Sequence, residues 1–216
     1  MKCFVIAMEK EARDIISAME KDKDYFVYDK RVVVGKIFGK SFGLIVSGVG
    51  KVNAASGAQL AIDLFKPDEI INFGVAGGLN DSVKVGEMYL VSHAIQYDFD
   101  LTQLGVPLGA VDDGWESYLP LSCKDIYPAR KLATGDRFND SPIDNALLTK
   151  ELHADLRDME GAAIVQVCKH ANIPCVSFKA VSDIYGNGST TEQYHKNLEL
   201  CFSTLRKELK KIVESI

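Results

Sequence analysis

Residues 51–78, KVNAASGAQLAIDLFKPDEIINFGVAGG, carry two periodicities across one short break. KVNAASGAQLAIDLF has the spacing of a helix. EIINFG is a short apolar run without polar alternation, the pattern of a central strand covered on both faces. The same change of period repeats outward in both directions. CFVIA, RVVVGKIF and FGLIVSG precede the helix, and VGEMYLVSHAIQY, ARKLAT and PCVSFKAVSD follow it. Strand runs alternating with helical patterns predict an α/β fold: a central, mixed and mostly parallel twisted sheet flanked by helices. The 216 residues suffice for one well-buried core, so a single domain over 1–216 is expected. From Thr191 the spacing of Leu198, Phe202, Leu205 and Leu209 predicts a closing helix. Residues 98–128 lack periodicity, hold the only tryptophan, Trp115, and read as a long surface segment.

Composition narrows the function. An apolar fraction of 47% and a charged fraction of 25% describe an ordinary folded protein. The net charge of -5 argues against a nucleic-acid partner, which would call for a basic patch. The lysine-rich RKELKKIVES reads as the solvated face of the last helix. No apolar stretch approaches the roughly 18 residues of a membrane span, and the first apolar run is too short for an export signal. A cytoplasmic protein without a membrane partner is expected. Five cysteines without a CxxC pair suggest buried thiols, and four scattered histidines show no ligand spacing, so neither metal nor cofactor is expected.

In an open α/β sheet, ligands bind beyond the carboxyl ends of the strands. CFVIA runs into MEKE with Glu11, EIINFG into VAGGLND, ARKLAT into GDRFND, and CVSFKAVS into Asp183. ADLRDM brings Glu160 to the same rim, at the start of the helix GAAIVQVCKHA. Three carboxylates from distant parts of the chain would thus share one cleft. Singly, each has an ordinary explanation. Glu11 and Glu160 suit the first turn of a helix, where the dipole favours acids, and Asp183 suits the turn SDIYGNGS. SGVGKVNAA lacks both the third glycine of GxGxxG and the GxxxxGK[ST] spacing, so it is either a ligand-facing turn or a plain strand-to-helix connection. The glycines of GVAGGLND permit close backbone approach to something small.

AMEKEA, SGVGKVNAA, INFGVAGGL, VGEMYLVS, YDFDLTQLG, TGDRF, DMEGAA and KAVSD follow one another in an order and spacing that resemble the nucleoside phosphorylase superfamily. Within it the chain is most similar to the 5′-methylthioadenosine/S-adenosylhomocysteine nucleosidases, over nearly its whole length. The resemblance implies a nucleoside phosphorylase-like fold and a cofactor-independent hydrolysis of 5′-methylthioadenosine, S-adenosylhomocysteine or 5′-deoxyadenosine to adenine and a free sugar. It implies Glu11 as the base that activates water and Asp183 as the acid that protonates N7 of the leaving purine. Glu160 would hold the ribose hydroxyls and Met159 would pack on the sugar. Phe138 would stack on the purine, and Asn139 would meet the base edge through its backbone. Met8 and Val49 would lie near the 5′-substituent, with Val75 and Ser182 also in the pocket. Leu101 and Leu104 would complete that pocket in the partner subunit of a homodimer. An oxocarbenium-like transition state calls for such a base and acid pair.

Three departures bear on specificity. Val75 stands where many members carry a small hydroxyl residue, and Lys179 where many bacterial members carry arginine, which is not an equivalent donor set. Between DDGW and TGDRF the chain is shorter than members that place a helix there. The rival readings are a futalosine-type nucleoside hydrolase, a phosphorylase, and a non-catalytic nucleoside-binding or storage protein on the same fold. A carboxylate at Glu11, where phosphorylases of the superfamily carry a phosphate loop, suits water better than phosphate.

Overall fold

The computed structural model describes residues 1–111 and 116–216, and Trp115 lies outside the described residues. The elements begin with β1 (Lys2–Ile6), α1 (Glu9–Ala18), β2 (Glu20–Val27), β3 (Lys30–Ile37), β4 (Lys40–Val46) and α2 (Lys51–Phe65). Next come β5 (Ile70–Gly78), β6 (Met88–Gln96), β7 (Leu119–Pro120), β8 (Ala129–Thr134) and α3 (Pro142–Ala146). The chain closes with β9 (Leu156–Asp158), α4 (Gly161–His170), β10 (Cys175–Ile184) and α5 (Thr190–Ser215).

The sheet consists of two parallel blocks. Strands β4, β1, β5 and β10 lie parallel in that order, and β6, β8 and β9 form a second parallel set. The blocks meet through the antiparallel pairs β10–β6 and β5–β9, so β5, β10, β6, β8 and β9 close on themselves. The meander β4–β3–β2 extends the open end, also antiparallel. The sheet is therefore mixed, with parallel pairing confined to the two blocks. Strand β2, EKDKDYFV, is exposed along almost its full length and, among the described residues, pairs only with β3. Its lysines and acids discourage pairing with another chain at the first five positions, while Tyr25 and Phe26 leave apolar surface near its end.

The central strands are sorted by alternation. In β1, Cys3 and Val5 join a core beneath α2 and α4, whereas Phe4 and Ile6 join a core beneath α1 and α5. Strand β5 divides likewise, Ile70 going to the first core and Ile71 and Phe73 to the second. A strand covered on both faces needs no polar alternation, which is why these segments read as nearly continuous apolar runs, interrupted in β5 by Asn72, whose side chain is hydrogen-bonded to the Val5 carbonyl and the Ser177 hydroxyl. Helix α2 meets the sheet with Ala54, Gly57, Ala58 and Ala61, small residues that bring its backbone close. Helix α5 begins at Thr190, capped by the Ser189 hydroxyl accepting from the Glu192 amide, and buries Phe202, Leu205 and Leu209 as its spacing predicts.

Residues 116–128 hold only β7 and no helix, and the 3₁₀ turn Thr102–Leu104 is the regular element of the described segment before them. Four of the five thiols are buried as expected, but Cys123 is exposed. No described helix is long and apolar enough to cross a membrane.

The second core centres on rings: Phe4 lies 5.3 Å from Phe42 and 6.2 Å, edge-on, from Phe73. Phe73 is 1% exposed, so truncation leaves a cavity that its packed neighbours cannot fill. Phe73→Ala is expected to lower unfolding stability by about 3–5 kcal/mol, measured by urea denaturation.

Candidate active site

A cavity of about 350 Å³ opens beyond the carboxyl ends of β1, β5 and β10. Glu11, Glu160 and Asp183, drawn from α1, the start of α4 and the end of β10, all line it and are 6%, 8% and 1% exposed. The three carboxylates singled out in the sequence therefore do converge.

Each is aimed by a local backbone feature. Glu11 is the third residue of α1; its Oε2 accepts from the Met8 amide, and its own amide donates to the Met8 carbonyl. Its Oε1 reaches across to accept from the Val75 amide at 2.8 Å. A Cβ on Gly74 would stand 2.7 Å from that oxygen, so the glycine makes the reach possible. Glu160 flanks the first turn of α4, and its Oε1 accepts from the Gly50 amide at 2.8 Å. Gly50 has a φ of +94°, a conformation that strains residues bearing a Cβ. Asp183 follows a break in the β10–β5 register between Val181 and Asp183, which leaves Ser182 as the extra residue of a bulge. Bulges re-aim the side chains beside them. The Ser182 hydroxyl then donates to Asp183 Oδ2 at 2.7 Å.

Beneath the carboxylates, the Lys179 ammonium pairs with Asp158 Oδ2 at 2.9 Å, both side chains being almost wholly buried. Asp158 also accepts from the Thr134 hydroxyl and the Gly161 amide. Burial raises the carboxyl pKa of Glu11, partly countered by Lys179 and by the two backbone amides. Burial also raises Asp183, against the pull of the Ser182 hydroxyl and Arg157. Glu160 is pushed up to about 7, first by burial and then by the charge of Asp158. Of the three, Glu160 is thereby able to exchange a proton near neutrality.

Met8, Val49, Val75, Phe138, Met159 and Ser182 line the same cavity. Phe138 is half exposed at the mouth, 5.5 Å from the Tyr194 ring in an edge-on contact. Asn139 does not line the cavity: its side-chain amide donates to Asp144 Oδ2, and its carbonyl accepts from Arg157 Nη1 at 2.7 Å. Leu101 and Leu104 are also outside the cavity and are 37% and 76% exposed. Arg157, Tyr194 and His195 line it although the sequence reading gave them no role. Among the described residues no group of three or more His, Cys, Asp or Glu side chains could hold a metal ion.

The family model of the phosphorylase superfamily matches residues 2–216. The chain belongs to the phosphorylase superfamily. Among curated members, the 5′-methylthioadenosine/S-adenosylhomocysteine nucleosidase of Hydrogenovibrio crunogenus is 34% identical over 212 residues, covering 90% of this chain and 91% of the relative. The nucleosidase of the same name from Shewanella pealeana is 30% identical over 208 residues, covering 89% of this chain and 90% of the relative. The corresponding Neisseria meningitidis enzyme, solved in complex with methylthio-immucillin-A, superposes with a TM-score of 0.89 at 27% identity, covering 100% of this chain and 99% of that one. The futalosine hydrolase of Helicobacter pylori shares the superfamily fold with a TM-score of 0.90 at 22% identity, covering 100% of this chain and 97% of the other.

The raised Glu160 couples stability to pH. An ordinary glutamate titrates near 4.5 and folded Glu160 at about 7, so the folded state holds the proton longer than the unfolded chain. This group's contribution is present below pH 4.5 and is lost as pH rises to about 7. Urea midpoints measured across that window are expected to fall in the ligand-free protein, and Glu160→Gln should flatten the fall. An unchanged slope in the variant would remove Glu160 as its source.

Proposed function

We propose that the protein hydrolyses the N-glycosidic bond of 5′-methylthioadenosine, and with it S-adenosylhomocysteine and 5′-deoxyadenosine, giving adenine and the free 5-substituted ribose. The convergence of Glu11, Glu160 and Asp183 on one apolar-lined cavity carries this reading. The names of the superfamily relatives and the nucleoside analogue held by the Neisseria protein support it.

In the proposed reaction, Glu11 takes a proton from water as the water oxygen bonds to the anomeric carbon. Its raised pKa suits a base working near neutral pH. The bond from that carbon to purine N9 breaks, and its electron pair passes into the ring as Asp183 protonates N7. Burial favours the protonated form of Asp183 that this step requires. Glu160 accepts hydrogen bonds from the ribose diol, and its negative form stabilises the positive charge growing on the sugar. Phe138 stacks on the base, while Met8 and Val49 give the 5′-thioether apolar company. We further propose that the chain acts as one domain and as a homodimer, with exposed Leu101 and Leu104 closing the pocket of a second copy.

The test is adenine release from 5′-methylthioadenosine with and without phosphate. Phosphate-independent release of methylthioribose is expected, and methylthioribose 1-phosphate would overturn hydrolysis. Glu11→Gln and Asp183→Asn should each lower kcat by about 10²–10⁴ while the protein stays folded, as checked by denaturation. Full activity in both variants would sink the assignment.

A further inference from the structure

Two buried polar atoms in the cavity wall lack a hydrogen-bond partner: Arg157 Nη2 and Asp183 Oδ1. They stand 3.6 Å apart, beyond hydrogen-bond reach, and Arg157 is 9% exposed. Neither group is misplaced by chance packing. Arg157 Nη1 is anchored on the Asn139 carbonyl at 2.7 Å, and Asp183 Oδ2 on the Ser182 hydroxyl at 2.7 Å. A Cβ on Gly77 would stand 2.9 Å from Asp183 Oδ1 and 3.1 Å from Arg157 Nε, so this glycine gives room to both side chains. The two groups attract one another as an ion pair without a hydrogen bond, and a ligand acceptor beside Arg157 Nη2 would supply the hydrogen bond that this buried N–H lacks.

We propose that Arg157 is a specificity-determining residue that fits the site to 6-oxopurine bases, so that inosine-type 5′-substituted nucleosides are substrates at least as good as adenosine-type ones. This rests on the proposed nucleosidase reading, because Asp183 must face N7. With Oδ2 held by Ser182, Oδ1 is the oxygen free to carry the proton to N7. On the same edge of a purine, beside N7, lies the substituent of carbon 6. A 6-oxopurine offers two acceptors there, O6 and N7, whereas adenine offers one acceptor and an N–H donor. The neighbour of Oδ1 is an arginine, which has five donors and no acceptor. A carbonyl at carbon 6 completes Arg157 Nη2, while an amino group meets it donor to donor. The nearby Asn139 carbonyl, an acceptor suited to an amino group, already takes one hydrogen bond from Arg157, which leaves it one lone pair.

The experiment compares kcat/KM for 5′-methylthioinosine and 5′-methylthioadenosine, reading hypoxanthine and adenine release, in the wild-type protein and in Arg157→Met. Methionine keeps an apolar stem and removes the donors. The wild-type ratio should be within about tenfold of unity or favour the inosine analogue, and Arg157→Met should shift it about tenfold or more toward the adenosine analogue. A ratio moves only if the base edge is read, so general damage to the fold would lower both values together. A wild-type preference for methylthioadenosine beyond about tenfold, or a ratio that Arg157→Met leaves unmoved, would overturn the proposal and leave the nucleosidase reading standing. Failure to hydrolyse either nucleoside would overturn both. Should the variant fail to fold, calorimetric titration of the wild-type protein decides: hypoxanthine binding at least as tightly as adenine supports the role of Arg157, and weaker binding refutes it.

Discussion

The arrangement of the site depends on the buried contact between Lys179 and Asp158. The charge of Asp158 raises the proton affinity of Glu11 and Glu160, Glu11 adds to the effect in Glu160, and the ammonium of Lys179 opposes it in both. Without a cation beneath them, several carboxylates in a poorly solvated space would hold protons well above neutral pH or force the site apart. The pair also joins elements. Lys179 belongs to β10 and Asp158 to β9, while the remaining bonds of Asp158 run to Thr134 on β8 and to the first amide of α4. One ion pair therefore ties the two parallel blocks together under the cavity floor. A lysine makes this contact as a point charge, leaving no fork of donors to reach further, which suits a partner that is itself an aspartate.

The architecture was readable wherever one physical rule acted alone. Doubly covered strands appeared as apolar runs in CFVIA and EIINFG, and α5 appeared as a helical stripe. Strand β2 was not readable, because EKDKDYFV lies on an exposed edge where pairing with β3, not burial, sets its conformation. Strand β9 has three residues, too few for any period. The antiparallel closure of the two blocks also left no mark, since pairing direction is a property of distant segments.

The site divides in the same way. Glu11, Glu160 and Asp183 were visible because acids at strand ends and helix starts are conspicuous beside apolar runs. Tyr194 and His195 were hidden in α5, whose apolar stripe announces the core and says nothing of the turn that faces the cavity. Arg157 was hidden by its neighbours, an arginine before two acids being an ordinary surface pattern. The 2.7 Å contact with the Asn139 carbonyl and the ion pair with Asp183 give it a direction.

Gly74 and Gly77 sit on β5 and make no polar contribution through side chains, yet each borders a carboxylate, Glu11 in one case and Asp183 in the other. Their single hydrogens set how far the two acids can lean over the strand. In hereditary terms, the gene protects its chemistry at positions that perform none. A base change giving alanine at either codon would alter the angle of an acid some distance away in the chain, so the tolerance of β5 to mutation is fixed by groups on α1 and β10.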